Sequence, residues 1–276
     1  MSDEPLPDKP AEIVEDLSSC DSVLVAFSGG VDSSTVAVLA ERALGDDAVA
    51  CTAVSETLPE SEYHEAVEVA NEIGIRHELV EFSELESEEF VENDVDRCYH
   101  CRTGRLSKMY EKARELDVEM VVDGSNANDA DPDSHRPGME AVEELDVESP
   151  LLKHGVGKDE VRKIAKELGL SVWDKPSEAC LSSRIPHGIE VTEERLSRVE
   201  EAERVVESYG VRQFRVRDHD GLARIEVDHD EMSKLLERGT LREIHDTLRE
   251  IGFDYVTLDM KGYRTGSLIE IETPAD

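Results

Sequence analysis

The chain has 276 residues, 38% hydrophobic and 35% charged, enough to bury a real core in one larger domain or two modest ones. Its 66 acidic residues outweigh 30 basic ones for a net charge of −36, spread along the whole length. This implies a hydrated acidic surface suited to a high-salt, halophilic cytoplasm, and it argues against nucleic acid as a partner. No apolar run of about 18 residues is present to span a membrane. The opening MSDEPLPDKPAEIVEDL is acidic and lacks the basic and apolar segments of a secretory signal, so a cytoplasmic setting is expected.

The first strand is expected over residues 23–27 (VLVAF), and it ends in SGGVDSS, residues 28–34, before a helix over 33–44. Strand, glycine turn and helix N-terminus together make a concave nest of backbone N–H groups. Gly29 and Gly30 allow a tight turn and the close approach of an anion. Ser28, Ser33 and Ser34 add hydroxyl donors, and Asp32 is suited to orienting the loop or holding a metal. The expected guest is a phosphate or pyrophosphate. Two commoner phosphate motifs fail: around Gly157-Lys158 a Walker A loop would need glycine where Leu152 stands and Ser or Thr where Asp159 stands, and the dinucleotide fingerprint from Gly155 runs out at Glu160.

Residues 48–54 (AVACTAV) form a second apolar strand, 60–73 a helix with Tyr63, Ala66, Val67, Ala70 and Ile73 on one face, and 76–82 a third strand. Residues 103–116 read as a helix with Leu106, Met109, Tyr110, Ala113 and Leu116 at helical spacing, followed by a strand over 118–122. Strands alternating with helices imply right-handed crossovers and a parallel sheet, whose ligands sit beyond the carboxyl ends of its strands. SGGVDSS and DGSNAND (123–129) each follow a strand and are expected to line one mouth. Residues 129–138 are a turn-rich loop, 158–168 a helix, and 173–188 (WDKPSEACLSSRIPHG) an irregular stretch with the look of site architecture. After Thr192 come a charged helix to about Tyr209, strands at 211–218 and 221–228, helix over 231–251 and a strand over 253–260. The expected organisation is an α/β domain with a doubly wound parallel sheet over residues 1–190 and a small α+β domain over 191–276.

Five cysteines in a chain without an export signal do not suggest a disulfide framework. Cys20 and Cys51 read as small structural residues, while Cys98, Cys101 and Cys180 fall in turn-like or loop contexts. Cys98-x-x-Cys101 suits a redox pair, half a zinc site, part of an iron–sulfur site, or unligated surface thiols. With no second CxxC, three thiolates with His100 or His187 would complete a zinc site, and three thiolates alone would hold a [4Fe–4S] cluster with one iron open to a ligand such as sulfide. Arg97, Arg102 and Arg105 either activate these thiols and attract an anion or pair with neighbouring acids. Arg212, Arg215 and Arg217 form a second basic group; on a strand, Arg215 and Arg217 share a face and make either a phosphate clamp or a solvated surface. Glu203 and Glu226 either orient such arginines or are simply surface acids.

In order, SGGVDSS, DRCYHCR, DGSNAND, HRPG, SPL, WDKPSEACLSSR and RQFRVRDH resemble the LarE family of ATP-dependent sulfur transferases, and SGGVDS resembles the PP-loop of ATP pyrophosphatases. The likeness runs from about Val23 to the final GYRTGS. It implies adenylation of the carboxylates of pyridinium-3,5-biscarboxylic acid mononucleotide and their conversion to thiocarboxylates for the nickel-pincer cofactor of lactate racemase. By position it assigns Ser28, Gly29, Gly30, Asp32, Ser33 and Ser34 to ATP pyrophosphate with Mg²⁺. It assigns Gly124, Ser125, Asn126 and Asp129 to the adenylate, and Arg212, Arg215, Arg217 and Arg264 to the substrate phosphate. Cys180 would carry the sulfur chemistry. In one form of the family a lone cysteine gives up its own sulfur and becomes dehydroalanine. Here Cys98 and Cys101 accompany Cys180, which resembles the subgroup that holds a [4Fe–4S] cluster and delivers a cluster-bound sulfide. A homo-oligomer and a sulfide or cluster donor as partner follow from the same resemblance.

Three other functions use similar parts. A tRNA-thiolating PP-loop enzyme shares the adenylation logic but calls for a basic surface. An amide-forming ligase needs an ammonia source, and no glutaminase-like module is evident. A non-enzymatic ATP or cluster carrier would not release pyrophosphate.

Overall fold

The computed structural model describes residues 6–130, 137–176, 179–264 and 268. Residues 131–136 (including the His135-Arg136 of HRPG), residues 177–178 of WDKPSEACLSSR and residues 265–267 of GYRTGS lie outside them. In chain order the elements are α1 (Asp8–Leu17), β1 (Val23–Ala26), α2 (Val31–Leu44), β2 (Ala48–Val54), α3 (Glu60–Ile73), β3 (Arg76–Glu81), α4 (Glu88–Val91), α5 (Arg97–Glu115), β4 (Met120–Val122), α6 (Gly138–Glu144), α7 (Pro150–Lys153), α8 (Lys158–Glu167), α9 (Glu193–Glu207), β5 (Phe214–His219), β6 (Leu222–Val227), α10 (Arg238–Ile251) and β7 (Tyr255–Leu258). They fall into two compact units, residues 1–84 with 96–178, and 85–95 with 179–276.

The first unit is built on a parallel sheet of order β3-β2-β1-β4. Its central strands are continuous apolar runs because both of their faces are buried. Val23, Val25, Ala48, Ala50 and Val122 pack with Leu39, Val161 and Ile164 on one side. Leu24, Cys51 and Val121 pack with Leu106, Met109 and Ala113 on the other. Helices therefore cover both faces, and the expected doubly wound α/β class is what is found. Cys20 and Cys51 are buried, and burial pushes the Cys51 thiol up to about 12, so neither is a nucleophile.

Three local differences from the sequence reading have simple causes. Helix α5 begins at Arg97, not 103, and takes both CxxC cysteines into its first turns, because apolar periodicity starts only at Leu106. Helix α1 was not anticipated; Ile13 and Leu17 bury one face of a segment whose other residues are largely charged. The last helical stretch breaks into a 3-10 turn at Met232–Lys234 and α10.

In the second unit β5 pairs antiparallel with β6, and β6 parallel with β7. Ala202, Val206, Val216, Ile225, Leu248 and Phe253 form the core between this sheet and helices α9 and α10. The alternation of strand side chains leaves Arg215, Arg217, Arg224 and Glu226 on the opposite face. The second unit begins at Ala179, ahead of the expected start at residue 191, and takes in 85–95. Asn93 explains the second feature. Fully buried, it donates its side-chain amide to the carbonyls of Pro186 at 2.8 Å and Ile189 at 2.6 Å. Its φ of 56° is in the left-handed region that asparagine tolerates. Asn93→Gly keeps that backbone and removes the amide; it is expected to cost about 1–3 kcal/mol, read as an earlier urea midpoint at constant high salt. An unchanged midpoint contradicts this role.

Candidate active site

At the carboxyl end of β1 the chain turns through Ser28-Gly29-Gly30 into α2, whose N-cap is Gly30. Gly29 has φ +72°, and a Cβ there would lie 2.7 Å from the Cα of Ala66 in α3. Both the backbone and the packing therefore demand glycine. Ser33 ties the turn together: its Oγ accepts from Ser28 N at 3.2 Å, donates to Gly30 O at 3.2 Å and lies 3.1 Å from Ser28 Oγ. Ser34 is fully buried, and its Oγ has no hydrogen-bond partner among the described residues.

The loop after β4 meets this turn. A Cβ on Gly124 would lie 2.7 Å from Ser33 N, so the loop backbone rests directly on the first turn of α2. Asn126 Nδ2 donates to Asp32 Oδ1 at 3.3 Å, and Lys158 Nζ forms an ion pair with Asp32 Oδ2. Asn126 N in turn donates to Asp129 Oδ2 at 3.0 Å. Lys158 is the first residue of α8, and its backbone N donates to Asn128 Oδ1 at 2.8 Å. SGGVDSS and DGSNAND thus line one mouth, as expected, and they bring with them a lysine that sequence reading passed over. The signal was weak: Lys158 lies 126 residues from Asp32 in sequence, and in a failed Walker motif.

Asp123, expected with its loop at the mouth but not as its anchor, holds the loop in place. Buried at the end of β4, it accepts from Ser125 Oγ and Ser149 Oγ, each at 2.7 Å, and pairs with Arg102 of α5. Arg105, one turn on, pairs at 2.8 Å with buried Glu84, which also accepts from Thr57 Oγ1 at 2.8 Å. Burial works to raise the Glu84 carboxyl, but the Arg105 charge and hydrogen bonds from Ser55, Arg105 and Thr57 outweigh it and hold the group below its usual range. Arg102 and Arg105 are therefore the acid-paired arginines of the two readings above. Cys98 is exposed; Cys101, one turn along the same helix, is half-buried, with its thiol 3.5 Å from Glu84 Oε1. A cavity of about 460 Å³ lined by Asp129, Met139, Val142, Ser149 and Leu152 opens beside the loop and includes neither the Ser28–Gly30 turn nor a cysteine.

In the second unit Cys180 caps a 3-10 turn, Leu181–Arg184, and its Sγ lies 3.0 Å from Ser182 Oγ. Arg184 fixes that turn: it donates to the Cys180 carbonyl at 3.2 Å and makes a two-point bond with Glu203, 3.0 Å at each end. Glu203 also accepts from Val216 N in β5 at 3.0 Å. Arg217 donates to the Ser183 carbonyl at 2.9 Å and to Glu226 at 2.9 and 3.1 Å. Arg215 lies over the Tyr263 ring, 5.3 Å from its centroid, and burial, then Arg184, pulls it below the ordinary guanidinium range. Cys180 and the arginine strand are thus brought together, and Glu203 and Glu226 orient arginines rather than standing as surface acids. Arg212 is exposed ahead of the strand, its backbone N bonded to Glu231 at 2.8 Å, and Arg264 lies 4.0 Å from Asp259. Within neither unit do three His, Cys, Asp or Glu side chains of described residues converge as a metal site, and Cys98 and Cys101 belong to one unit and Cys180 to the other.

Comparison with known proteins decides the family. The chain is 33% identical over 268 residues to pyridinium-3,5-bisthiocarboxylic acid mononucleotide synthase of Lactiplantibacillus plantarum, covering 97% of this chain and 96% of that enzyme. The chain belongs to the LarE family. It is also 42% identical over 253 residues to an uncharacterized protein of Synechocystis sp., covering 92% and 94% of the two chains. A family model described as NAD synthase matches residues 11–118, which include the glycine turn and the CxxC helix of this LarE protein. Likeness to a tRNA-specific 2-thiouridylase of Azorhizobium caulinodans, 31% identical, covers 56% of this chain and 48% of that one. Among the described residues no helix is long and apolar enough to cross a membrane.

The contact between Gly124 and α2 is directly testable. Gly124→Ala is expected to destabilise the protein by about 1–3 kcal/mol and to weaken ATP binding measured by calorimetry. Gly239→Ala, where a Cβ meets nothing within 4 Å, serves as the control. Equal behaviour of the two variants contradicts the contact.

Proposed function

We propose that the protein is an ATP-dependent sulfur transferase that converts the carboxylates of pyridinium-3,5-biscarboxylic acid mononucleotide to thiocarboxylates, for a nickel-pincer cofactor. The observation that carries this reading is the binding of the Cys180 turn to the arginine strand through Arg184–Glu203 and Arg217–Ser183. A thiol held beside a phosphate-binding face is the arrangement that sulfur transfer to an anionic substrate requires.

ATP is the first substrate. The Ser28–Ser34 turn and the α2 N-terminus receive its pyrophosphate, and Lys158 neutralises part of the negative charge that leaves. Asp32 would hold Mg²⁺, exchanging its pairing with Lys158 for the metal; bound there, Mg²⁺ supplies further charge neutralisation on the phosphate oxygens. Asn126 and Asp129, tied to the same turn, face the adenosine side. A carboxylate oxygen of the substrate attacks the α-phosphorus, the bond to pyrophosphate breaks, and an acyl-adenylate forms. This step is needed because a carboxylate is a poor electrophile. A sulfur nucleophile then adds to the activated carbonyl and AMP departs with the former carboxylate oxygen. Arg215 and Arg217, with Arg212 and Arg264, hold the substrate phosphate and so place the pyridinium carboxylates.

Cys98, Cys101 and Cys180 would hold a [4Fe–4S] cluster. The donor set fits: none of the three thiols is taken up in a disulfide, and Cys98 and Cys101 share one side of a helix. Bound there, such a cluster supplies sulfide from its open iron. Likeness to the tRNA thiolase stops near half of the chain, and the acidic surface does not favour RNA.

The test is anaerobic reconstitution with iron and sulfide, then incubation with ATP, Mg²⁺ and the pyridinium dicarboxylate, with thiocarboxylates read by mass spectrometry. About four irons per chain are expected, lost in Cys98→Ala, Cys101→Ala and Cys180→Ala. Cys180→Ala should form no thiocarboxylate. Lys158→Ala should slow its formation about ten- to a hundredfold. Without iron, dehydroalanine at Cys180 after turnover replaces the cluster by the cysteine as donor. Thiolated tRNA with an unmodified mononucleotide contradicts the whole reading.

A further inference from the structure

The polar face of the β5–β6–β7 sheet carries one group that the chemistry above leaves idle. His219 ends β5 two residues beyond Arg217, so alternation sets Arg215, Arg217 and His219 in a row. Cross-strand register widens the row: Arg217 stands opposite Arg224, and Arg215 opposite Glu226. Arg217 and Arg224 both grip the fully buried Glu226, at 2.9 and 2.7 Å, which fixes both guanidinium groups in place. Around them Arg215, Arg217, Arg224 and Arg184 stand against Glu226, Glu203 and Asp259, the last 3.7 Å from Arg224, which leaves a small positive excess in a chain of net charge −36.

Into this face His219 brings a ring nitrogen with no obvious structural use. Its Nε2 is buried and has no hydrogen-bond partner among the described residues. Alternation along β5 sets the ring on the face opposite the one that Phe214 and Val216 give to the apolar cluster. Burial, then Arg224 and Arg217, push its pKa down against the opposing pull of Asp218 and Glu226, so the imidazole is neutral near pH 7 and adds no charge of its own. Buried polar atoms are rarely left unmatched, and one beside an arginine cluster is matched most simply by an anionic oxygen.

We propose that His219 is a further binding residue of this face, donating from Nε2 to an oxygen of a phosphate monoester that Arg215 and Arg217 gather. The identity of that monoester as the substrate mononucleotide rests on the sulfur-transferase reading; the anion site itself does not.

The test uses full-length, nitrogen-labelled protein, with the His219 ring signal assigned by its loss in His219→Leu. Two probes are titrated separately, inorganic phosphate and nicotinate mononucleotide. Both are expected to move the His219 signal saturably. His219→Leu is expected to weaken mononucleotide binding about tenfold or more. His219→Gln, whose amide nitrogen can occupy the place of Nε2, should recover most of the loss at an equal thermal midpoint. A mononucleotide that binds without moving the His219 signal overturns the proposal, as does equal loss in both variants matched by equal loss of stability. Phosphate moving the signal while the mononucleotide does not bind upholds the anion site and contradicts the pyridinium substrate instead.

Discussion

Between the backbone of Gly124 and the first turn of α2 there is no room for a side chain: a Cβ would stand 2.7 Å from Ser33 N. This close approach lets two loops from adjacent parallel strands act as one surface. It allows Asn126 and Lys158 to meet on Asp32, and it sets the hydroxyls of Ser28 and Ser33 at the same mouth. A parallel sheet supplies the general location, since its ligands lie beyond the carboxyl ends of its strands. The contact at Gly124 supplies the particular one. Asp123 secures it from below, taking hydrogen bonds from Ser125 and Ser149 and an ion pair from the CxxC helix.

The second unit is organised by a different force. Arg184–Glu203 and Arg217–Glu226 are largely buried ion pairs. Such pairs offset their own desolvation only with good geometry, so they fix position more than they add stability. Here they fix the Cys180 turn against β5 and hold the guanidinium groups in one orientation. The chain spends scarce basic residues on these frames: 30 lysines and arginines serve 66 acids. Surface acids handle solvation, whereas the arginines named here are placed by specific carboxylates.

Much of this was legible in the sequence because local signals and tertiary demands coincide. The 23–27 and 48–54 runs read as buried strands since both faces are covered, and SGG reads as a tight turn because glycine is required there. Arg215 and Arg217 read as a pair because strand side chains alternate. What stayed hidden depends on long-range contact. Lys158 is an ordinary helix cation until Asp32 meets it, and nothing local names Asp123, 21 residues on, as the acid that Arg102 pairs with. Residues 85–95 belong with the second unit only through buried bonds such as those of Asn93, which leave no periodic trace. The CxxC helix hides its start because its first turns carry no apolar stripe.

The central claim is that ATP activates a substrate carboxylate by forming an acyl-adenylate. The most direct measurement places heavy oxygen in the carboxylates of the pyridinium mononucleotide and follows the label during turnover with ATP, Mg²⁺ and sulfide. The account predicts AMP carrying one labelled oxygen for each thiocarboxylate formed. Thiocarboxylate accompanied by ADP, or by AMP without label, would contradict it.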